Sequence, residues 1–329
     1  MGEKLLITSS PHLKGPNSVR GIMLEVIFSL VPASIAAVVL FGFHALLVLL
    51  ASVASAVASE AIFQKAVKRE VTVGDFSAVI TGMLLALSLP PGVPLFVPVI
   101  GSAFAIMIAK QIFGGLGTNF VNPALAGRAF VMAAWTMHMT ADWISPFAFD
   151  AASGATPLGL LKETGQAPGL SIADLLIGNR LGSMGETCIA ALLLGGAYLI
   201  VRGIIDWRIP AGFLGILFVG TWIFGKSGAY FQGDGLTAIL LGGAVLGGFF
   251  MATDYVTSPV TAKGRLYMGM GAGFVTLLIR LWGSYPEGVT YGILLMNLAT
   301  PLIDRFVVPK YYGYMHDVAL RKKARAGGR

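Results

Sequence analysis

Ten apolar segments follow one another along this chain of 329 residues, and they restrict its fold more than any other feature. We place them at residues 21–43, 44–64, 75–90, 93–113, 122–141, 186–204, 209–225, 235–252, 268–283 and 286–308. A helix needs about 20 apolar residues to cross a bilayer, and several of these segments reach that length. Hydrophobic residues make up 56% of the chain and charged residues 12%, whereas a soluble domain carries about 25% charged residues. The sequence therefore predicts an all-α polytopic membrane protein with about ten transmembrane helices.

The two halves of the apolar region resemble each other weakly. The stretches that begin at Gly74 and at Gly233 both open with Gly-Asp, continue as an apolar run and end in a proline-bearing segment. In the first stretch this segment is SLPPGVP at residues 88–94, which cannot continue a helix. Such a break at membrane depth is tolerated only inside protein or beside a cavity. Because each half holds five spans, we expect two inverted five-helix repeats, at residues 21–141 and 186–308.

Lysine and arginine are distributed unevenly between the two sides of these segments. With the N-terminus placed inside, 18 of the 23 basic residues lie on the inner side and one lies within a span. The outer side holds Lys162, Arg180, Lys226 and Arg280. Basic residues favour the cytoplasmic side. We therefore expect a cytoplasmic N-terminal segment at residues 1–20, an extracytoplasmic loop at 142–185 and a basic cytoplasmic tail at 309–329. The net charge of +7 is then a topology signal that also favours contact with membrane lipid, and we expect no nucleic-acid partner.

Few residues are suited to metal or nucleotide chemistry. Cys188 is the only cysteine and the four histidines are scattered singly, so we expect no metal site built from this chain alone. The sequence GGLGTN at residues 114–119 follows an apolar span and not a strand, which argues against direct binding of NAD or ATP. Glu60 and Lys110 lie near the inner ends of spans, and we expect them to mark the membrane interface. We expect no catalytic side chain.

The outer loop contains the sequence DAASGATPLG at residues 150–159. A threonine followed by proline predicts the start of a helix, with Thr156 as N-cap and Pro157 as the first helical residue. Gly159 stands where a capping box needs Glu or Gln, so that motif is incomplete. Local rules alone therefore favour a helix start at Thr156 over a modified residue.

Four stretches carry a resemblance that covers nearly the whole chain. They are SSPHLKGPNSVRGIML (9–24), GGLGTNFVNPALAGRAF (114–130), SGATPL (153–158) and FFMATDYVTSPVTAKGR (249–265). They resemble the family that contains the D subunit of the Rnf complex, an ion-translocating ferredoxin:NAD oxidoreductase, and the B subunit of the sodium-translocating NADH:quinone reductase. The resemblance implies that Thr156 is esterified through its hydroxyl to the phosphate of FMN. Ser153, Gly154 and Ala155 complete the modification motif, and we hypothesise that Asp150 helps the modifying enzyme to recognise the loop.

The resemblance also implies a function and a location. The chain is expected to be a translocase subunit in a prokaryotic cytoplasmic membrane, where its flavin relays electrons between ferredoxin and NAD while Na⁺ or H⁺ is moved. Its expected partners are the other subunits of the complex and a flavin transferase, which acts on the outer face. The distribution of charge places the 142–185 loop on that same face. The alternative is a channel or secondary transporter with no redox role, because the apolar architecture alone fits both classes.

Two further features allow more than one interpretation. Arg128 lies about six residues into the fifth span, where a cation is costly and needs a partner. It is expected either to face the flavin or an ion, or to form a structural ion pair or extend its side chain to the membrane interface. The polar sequence MATDYVTSPVTAKGR at residues 251–265 either supports a second, non-covalent riboflavin or forms an ordered inner loop.

Overall fold

The computed structural model describes residues 18–147, 156–164, 171–225, 230–283 and 285–308, and within these ranges all regular structure is helical. The helices, in chain order, are α1 (Val19–Phe41), α2 (Phe43–Ala66), α3 (Ser77–Leu87), α4 (Phe96–Ile106), α5 (Pro123–Ala134), α6 (Thr136–Ala141), α7 (Pro157–Thr164), α8 (Ile172–Ile177), α9 (Ile189–Val201), α10 (Arg208–Phe224), α11 (Gly235–Leu240), α12 (Ala244–Leu246), α13 (Ala262–Trp282) and α14 (Val289–Phe306). Two short π-helices, Met107–Gln111 and Gly247–Met251, continue α4 and α12. The all-α prediction is confirmed for the described residues.

Helices α1 and α2 are long and apolar enough to cross a membrane by length and composition. Most of their surface is not buried by the rest of the chain, and large apolar side chains such as Phe28 and Phe43 are exposed. A run of exposed apolar side chains along a helix suits contact with lipid and is unfavourable in water. The other apolar helices that the structure describes are shorter or more polar.

The proline-bearing break after α3 lies inside the protein. Leu89 and Val93 are fully buried, and the backbone of this break pairs with the segment that precedes α9. Met184 donates its N–H to the carbonyl of Leu89 at 3.1 Å, and Gly185 donates to the carbonyl of Leu87 at 2.6 Å. These bonds satisfy backbone groups that the broken helix leaves free, as a buried irregular segment requires.

The helices pack in two similar groups. Helix α2 packs against α3 and α4, and α4 packs against α5. In the second half, α10 packs against α11 and α13, and α13 packs against α14. Contacts between α1 and α9 and between α5 and α14 join the two groups.

Glu60 and Lys110 form an ion pair inside the protein, and their position at the membrane interface stays a prediction. Both side chains are buried, and Lys110 Nζ lies 2.7 Å from Glu60 Oε1. Lys110 also donates to Ser77 Oγ at 2.6 Å, and Gln111 Nε2 donates to Glu60 Oε1 at 2.6 Å. Lys110 belongs to the first π-helix, and Ile112 at the end of that helix donates to the carbonyl of Met107, five residues back.

Candidate functional site

Thr156 begins helix α7, as the Thr-Pro sequence predicts. The Thr156 side-chain oxygen accepts the N–H of Gly159 at 3.2 Å, and its carbonyl accepts the N–H of Leu160 at 2.9 Å. Pro157 is the first helical residue. The Thr156 hydroxyl therefore stands at the positive end of an eight-residue helix, where a phosphate is electrostatically favoured. The other predicted motif residues, Asp150, Ser153, Gly154 and Ala155, lie outside the described residues.

Thr156 lies at the wall of a cavity of about 260 Å³. The cavity is lined by Arg128, Ala129, Met132, Met139, Thr140, Trp143, Thr156, Gly159, Tyr285, Pro286, Glu287, Gly288, Thr290 and Tyr291. The structure thus brings Arg128 and Thr156, the two predicted site residues that it describes, to one cavity. Aromatic and methionine side chains with a few polar groups are typical of a site for a flat organic ligand.

Arg128 is buried and ion-paired. Its Nη2 donates to Glu287 Oε2 and lies 3.8 Å from Glu186 Oε1. Arg128 also lines the cavity, so the same side chain forms a structural ion pair and faces the cavity. A second hydrogen bond from the Arg128 guanidinium is not found among the described residues, so N–H donors remain for a ligand.

Two further buried arginines complete this charged cluster, which we define as Arg128, Arg180, Arg280, Glu186 and Glu287. Arg180 donates to the backbone carbonyl of Glu186 at 2.6 Å. Arg280 donates to the carbonyls of Glu287, Ala238 and Leu241 at 3.0, 2.5 and 3.1 Å. With every member ionised, the three arginines exceed the two glutamates by one positive charge, so the cluster suits an anion.

Sequence reasoning alone does not find most of this cluster. It treats Arg180 and Arg280 only as outer basic residues, and it does not single out Glu186 and Glu287. The available signal is positional: the two glutamates stand at the beginning of the sixth and the tenth apolar segments, on the side of the membrane where the sequence also predicts Thr156.

A second, smaller cavity lies near the buried Lys110. Polar side chains of Ser77, Asn119, Asn122 and Asp254 line its wall. Its volume of about 90 Å³ is much smaller than the 260 Å³ of the cavity beside Thr156.

The polar sequence at residues 251–265 packs against α14. Thr257 is buried, and its carbonyl accepts the hydroxyl of Thr300 at 2.8 Å. This contact suits an ordered loop, and the second riboflavin stays a prediction. Among the described residues no group of three or more His, Cys, Asp or Glu side chains is placed to hold a metal ion.

The fold and the site define a class: a helical protein with exposed apolar helices and a buried charged cavity beside a threonine-capped helix. Comparison with known proteins gives the family, because residues 6–313 match the NQR2, RnfD, RnfE family, and the chain belongs to it. It is 48% identical to the D subunit of the Na⁺-translocating ferredoxin:NAD⁺ oxidoreductase complex of Acetobacterium woodii, over 98% of both chains. It is 45% identical to the D subunit of the proton-translocating ferredoxin:NAD⁺ oxidoreductase complex of Clostridium ljungdahlii, over 93% of this chain and 96% of the relative. It is 37% identical to the D subunit of the ion-translocating oxidoreductase complex of Ectopseudomonas mendocina, over 93% and 95%.

Proposed function

We propose that this chain is the D-type membrane subunit of an ion-translocating ferredoxin:NAD oxidoreductase, and that it carries FMN as a phosphoester of Thr156. The observation that supports the flavin is the position of Thr156, the last residue of Ser-Gly-Ala-Thr, at the wall of an aromatic cavity that also contains Arg128. The observation that supports the complex is near full-length similarity to D subunits with that function in their names.

The residues present fit the chemical groups of FMN. Thr156 Oγ1 offers the ester oxygen, and the positive end of α7 and the guanidinium of Arg128 suit the phosphate. Trp143, Tyr285 and Tyr291 offer aromatic surface for the ring. The bound flavin supplies the redox chemistry, while the chain positions it and sets its electrostatic environment. Asp150, Ser153, Gly154 and Ala155 are proposed as the motif read by the flavin transferase.

We also propose a topology of ten spans in two inverted repeats within a prokaryotic cytoplasmic membrane, with both termini cytoplasmic and the flavin loop outside. The pairing of α1 with α9 and of α5 with α14, and the similar packing within the two groups, support the repeat. The asymmetric distribution of Lys and Arg supports the orientation. The partners are the other subunits of the complex, the flavin transferase and membrane lipid. One relative is named for Na⁺ and another for H⁺, so either ion suits the proposal.

A mass measurement on the intact chain, purified from its native membrane, tests the flavin. We expect an added mass of one FMN minus water, located by peptide mapping to the segment that contains Thr156. A Thr156→Val variant should lose this mass while keeping its helical content, and Thr156→Ser should keep it. An unmodified native chain would favour the alternative, a channel or secondary transporter without a redox role.

A further inference from the structure

Lys162 attaches helix α7, by two hydrogen bonds, to the end of α13 and to the segment that follows it. Lys162 Nζ donates to the carbonyl of Tyr285 at 2.7 Å and to the carbonyl of Ile279 at 3.2 Å. Ile279 lies in the last turn of α13, where its carbonyl also accepts the N–H of Gly283 at 2.9 Å, and the partial negative charge at this end of the helix attracts a cation. Partial burial lowers the pKa of Lys162 from its usual range, as expected for an ammonium held against the protein.

The N-terminal end of α7 is held in place by packing. Leu158 is buried, and its Cδ2 lies next to Gly242. A Cβ at Gly242 would lie 3.0 Å from both Leu158 Cδ2 and Arg280 Nη2. Gly242 also has a positive φ of 69°, so a side chain there would be strained as well as crowded. Leu158 therefore packs closely on the backbone beside the charged cluster.

An eight-residue helix needs such fastening. Isolated helices shorter than about 12 residues are marginal in water because nucleation is costly. Helix α7 has eight residues, and it carries Thr156 as its N-cap. Tertiary contacts such as these two attachments therefore stabilise this helix and hold Thr156 at the wall of the cavity.

We propose that Lys162 is a positioning residue for the flavin: by fastening α7 to the α13–α14 turn, it keeps the group attached at Thr156 within the aromatic cavity. This inference rests on the proposed covalent flavin. The carbonyl of Tyr285 accepts a hydrogen bond from Lys162, and Tyr285 also lines the cavity. The residue that holds Lys162 in place is therefore also part of the wall proposed to contact the flavin ring. Lys162 does not touch the flavin or the reacting atoms, and it acts through α7.

The test compares Lys162→Met with Lys162→Arg in the full chain purified from its native membrane. Lys162→Met keeps much of the apolar length and removes the donors, whereas Lys162→Arg keeps a cation that can reach carbonyls. We expect Lys162→Met to retain the FMN mass on Thr156 but to give brighter and less polarised flavin fluorescence, since contact with Tyr and Trp quenches the ring. Lys162→Arg should resemble the native chain. Lys65→Met, at an exposed lysine of α2, is the matched control and should change nothing.

Hydrogen exchange provides a second readout that does not need the flavin. Losing two hydrogen bonds from a charged donor should raise exchange of the α7 amides at least about tenfold, which corresponds to about 1.4 kcal/mol. If Lys162→Met does not accumulate, Leu158→Ala loosens the other attachment and should change both readouts in the same direction.

The remaining outcomes separate the inference about Lys162 from the proposed covalent flavin. Unchanged fluorescence and exchange in these variants would overturn the inference. Loss of the FMN mass with unchanged exchange would overturn it too, because Lys162 would then serve recognition by the transferase. A native chain without FMN refutes the proposed function instead, and exchange then still reports on the attachment.

Discussion

Replacing Arg128 by methionine should destabilise the protein strongly. Among the described residues, Arg128 is the cation whose side chain lies within ion-pair distance of the carboxylates of both Glu186 and Glu287. The other two arginines of the cluster, Arg180 and Arg280, donate to the backbone carbonyls of these two glutamates. The side chain of Arg128 is 5% exposed, so its ion pair is largely withdrawn from bulk solvent. Removing Arg128 takes away the hydrogen-bond and ion-pair partner of the Glu287 carboxylate, and breaking a buried pair in this way costs about 3–5 kcal/mol. This is a large part of the roughly 5–15 kcal/mol that holds a typical domain folded.

The assay is thermal unfolding of the purified chain in detergent, followed by loss of helical circular dichroism. At about 2–4 °C per kcal/mol, the Arg128→Met variant should unfold roughly 6–20 °C below the native chain. The matched control is Arg202→Met, which breaks the exposed pair between Arg202 and Glu25, with 55% and 28% exposed side chains. Exposed pairs contribute about 0–1 kcal/mol, so this control should shift the transition by only a few degrees.

A double variant separates the charge from the packing. Adding Glu287→Gln to Arg128→Met removes the carboxylate that has lost its partner, so part of the lost stability should return, with a coupling of about 0.5–3 kcal/mol. If Arg128→Met unfolds at the same temperature as Arg202→Met, the cluster is not held together as described. If the double variant is less stable than Arg128→Met, the stranded carboxylate is not the source of the cost.

Three other changes follow from the described contacts. Lys110→Met should destabilise the chain by about 3–5 kcal/mol because it strands buried Glu60, and Glu60→Gln in the same chain should restore part of this in thermal unfolding. Gly82→Val should lower the yield of folded protein, since a Cβ at Gly82 already meets the backbone of Val53 at 2.7 Å and overpacking costs about 1–3 kcal/mol; size-exclusion chromatography measures it. Thr156→Val should also loosen the start of α7 by about 1 kcal/mol through loss of its cap, which hydrogen exchange of residues 157–160 detects; equal exchange in Thr156→Val and native chain would contradict the cap.

Local sequence rules predict the local structure well. The Thr-Pro pair predicts both the start of α7 and the capping role of Thr156, and the SLPPGVP sequence predicts a break inside the protein. Each of these depends on neighbours within a few residues, where proline and capping chemistry act directly. The same rules do not predict that residues 136–141 form a separate helix after Trp135, which has a φ of −132°.

The partners of the charged residues are not predictable in this way. Arg128 and Glu287 are 159 residues apart, and Lys110 and Glu60 are 50 apart. Hydrophobic periodicity says which face of a helix is apolar but not which polar group on a distant helix will meet it. The π-turn at residues 107–111 shifts the register of Lys110, and single-residue propensities do not signal such a turn.

The charged cluster explains why the cavity depends on the whole fold. Arg128 comes from α5 in the first half, while Glu186 and Glu287 lie just before α9 and α14 in the second half. Helix α7, between the halves, is attached through Lys162 to the turn that also contains Glu287. A cavity assembled from both halves and the connecting helix exists only after the halves have packed. The wall of the cavity and the attachment residue are therefore fixed relative to each other by the tertiary fold, as the proposed flavin relay would require.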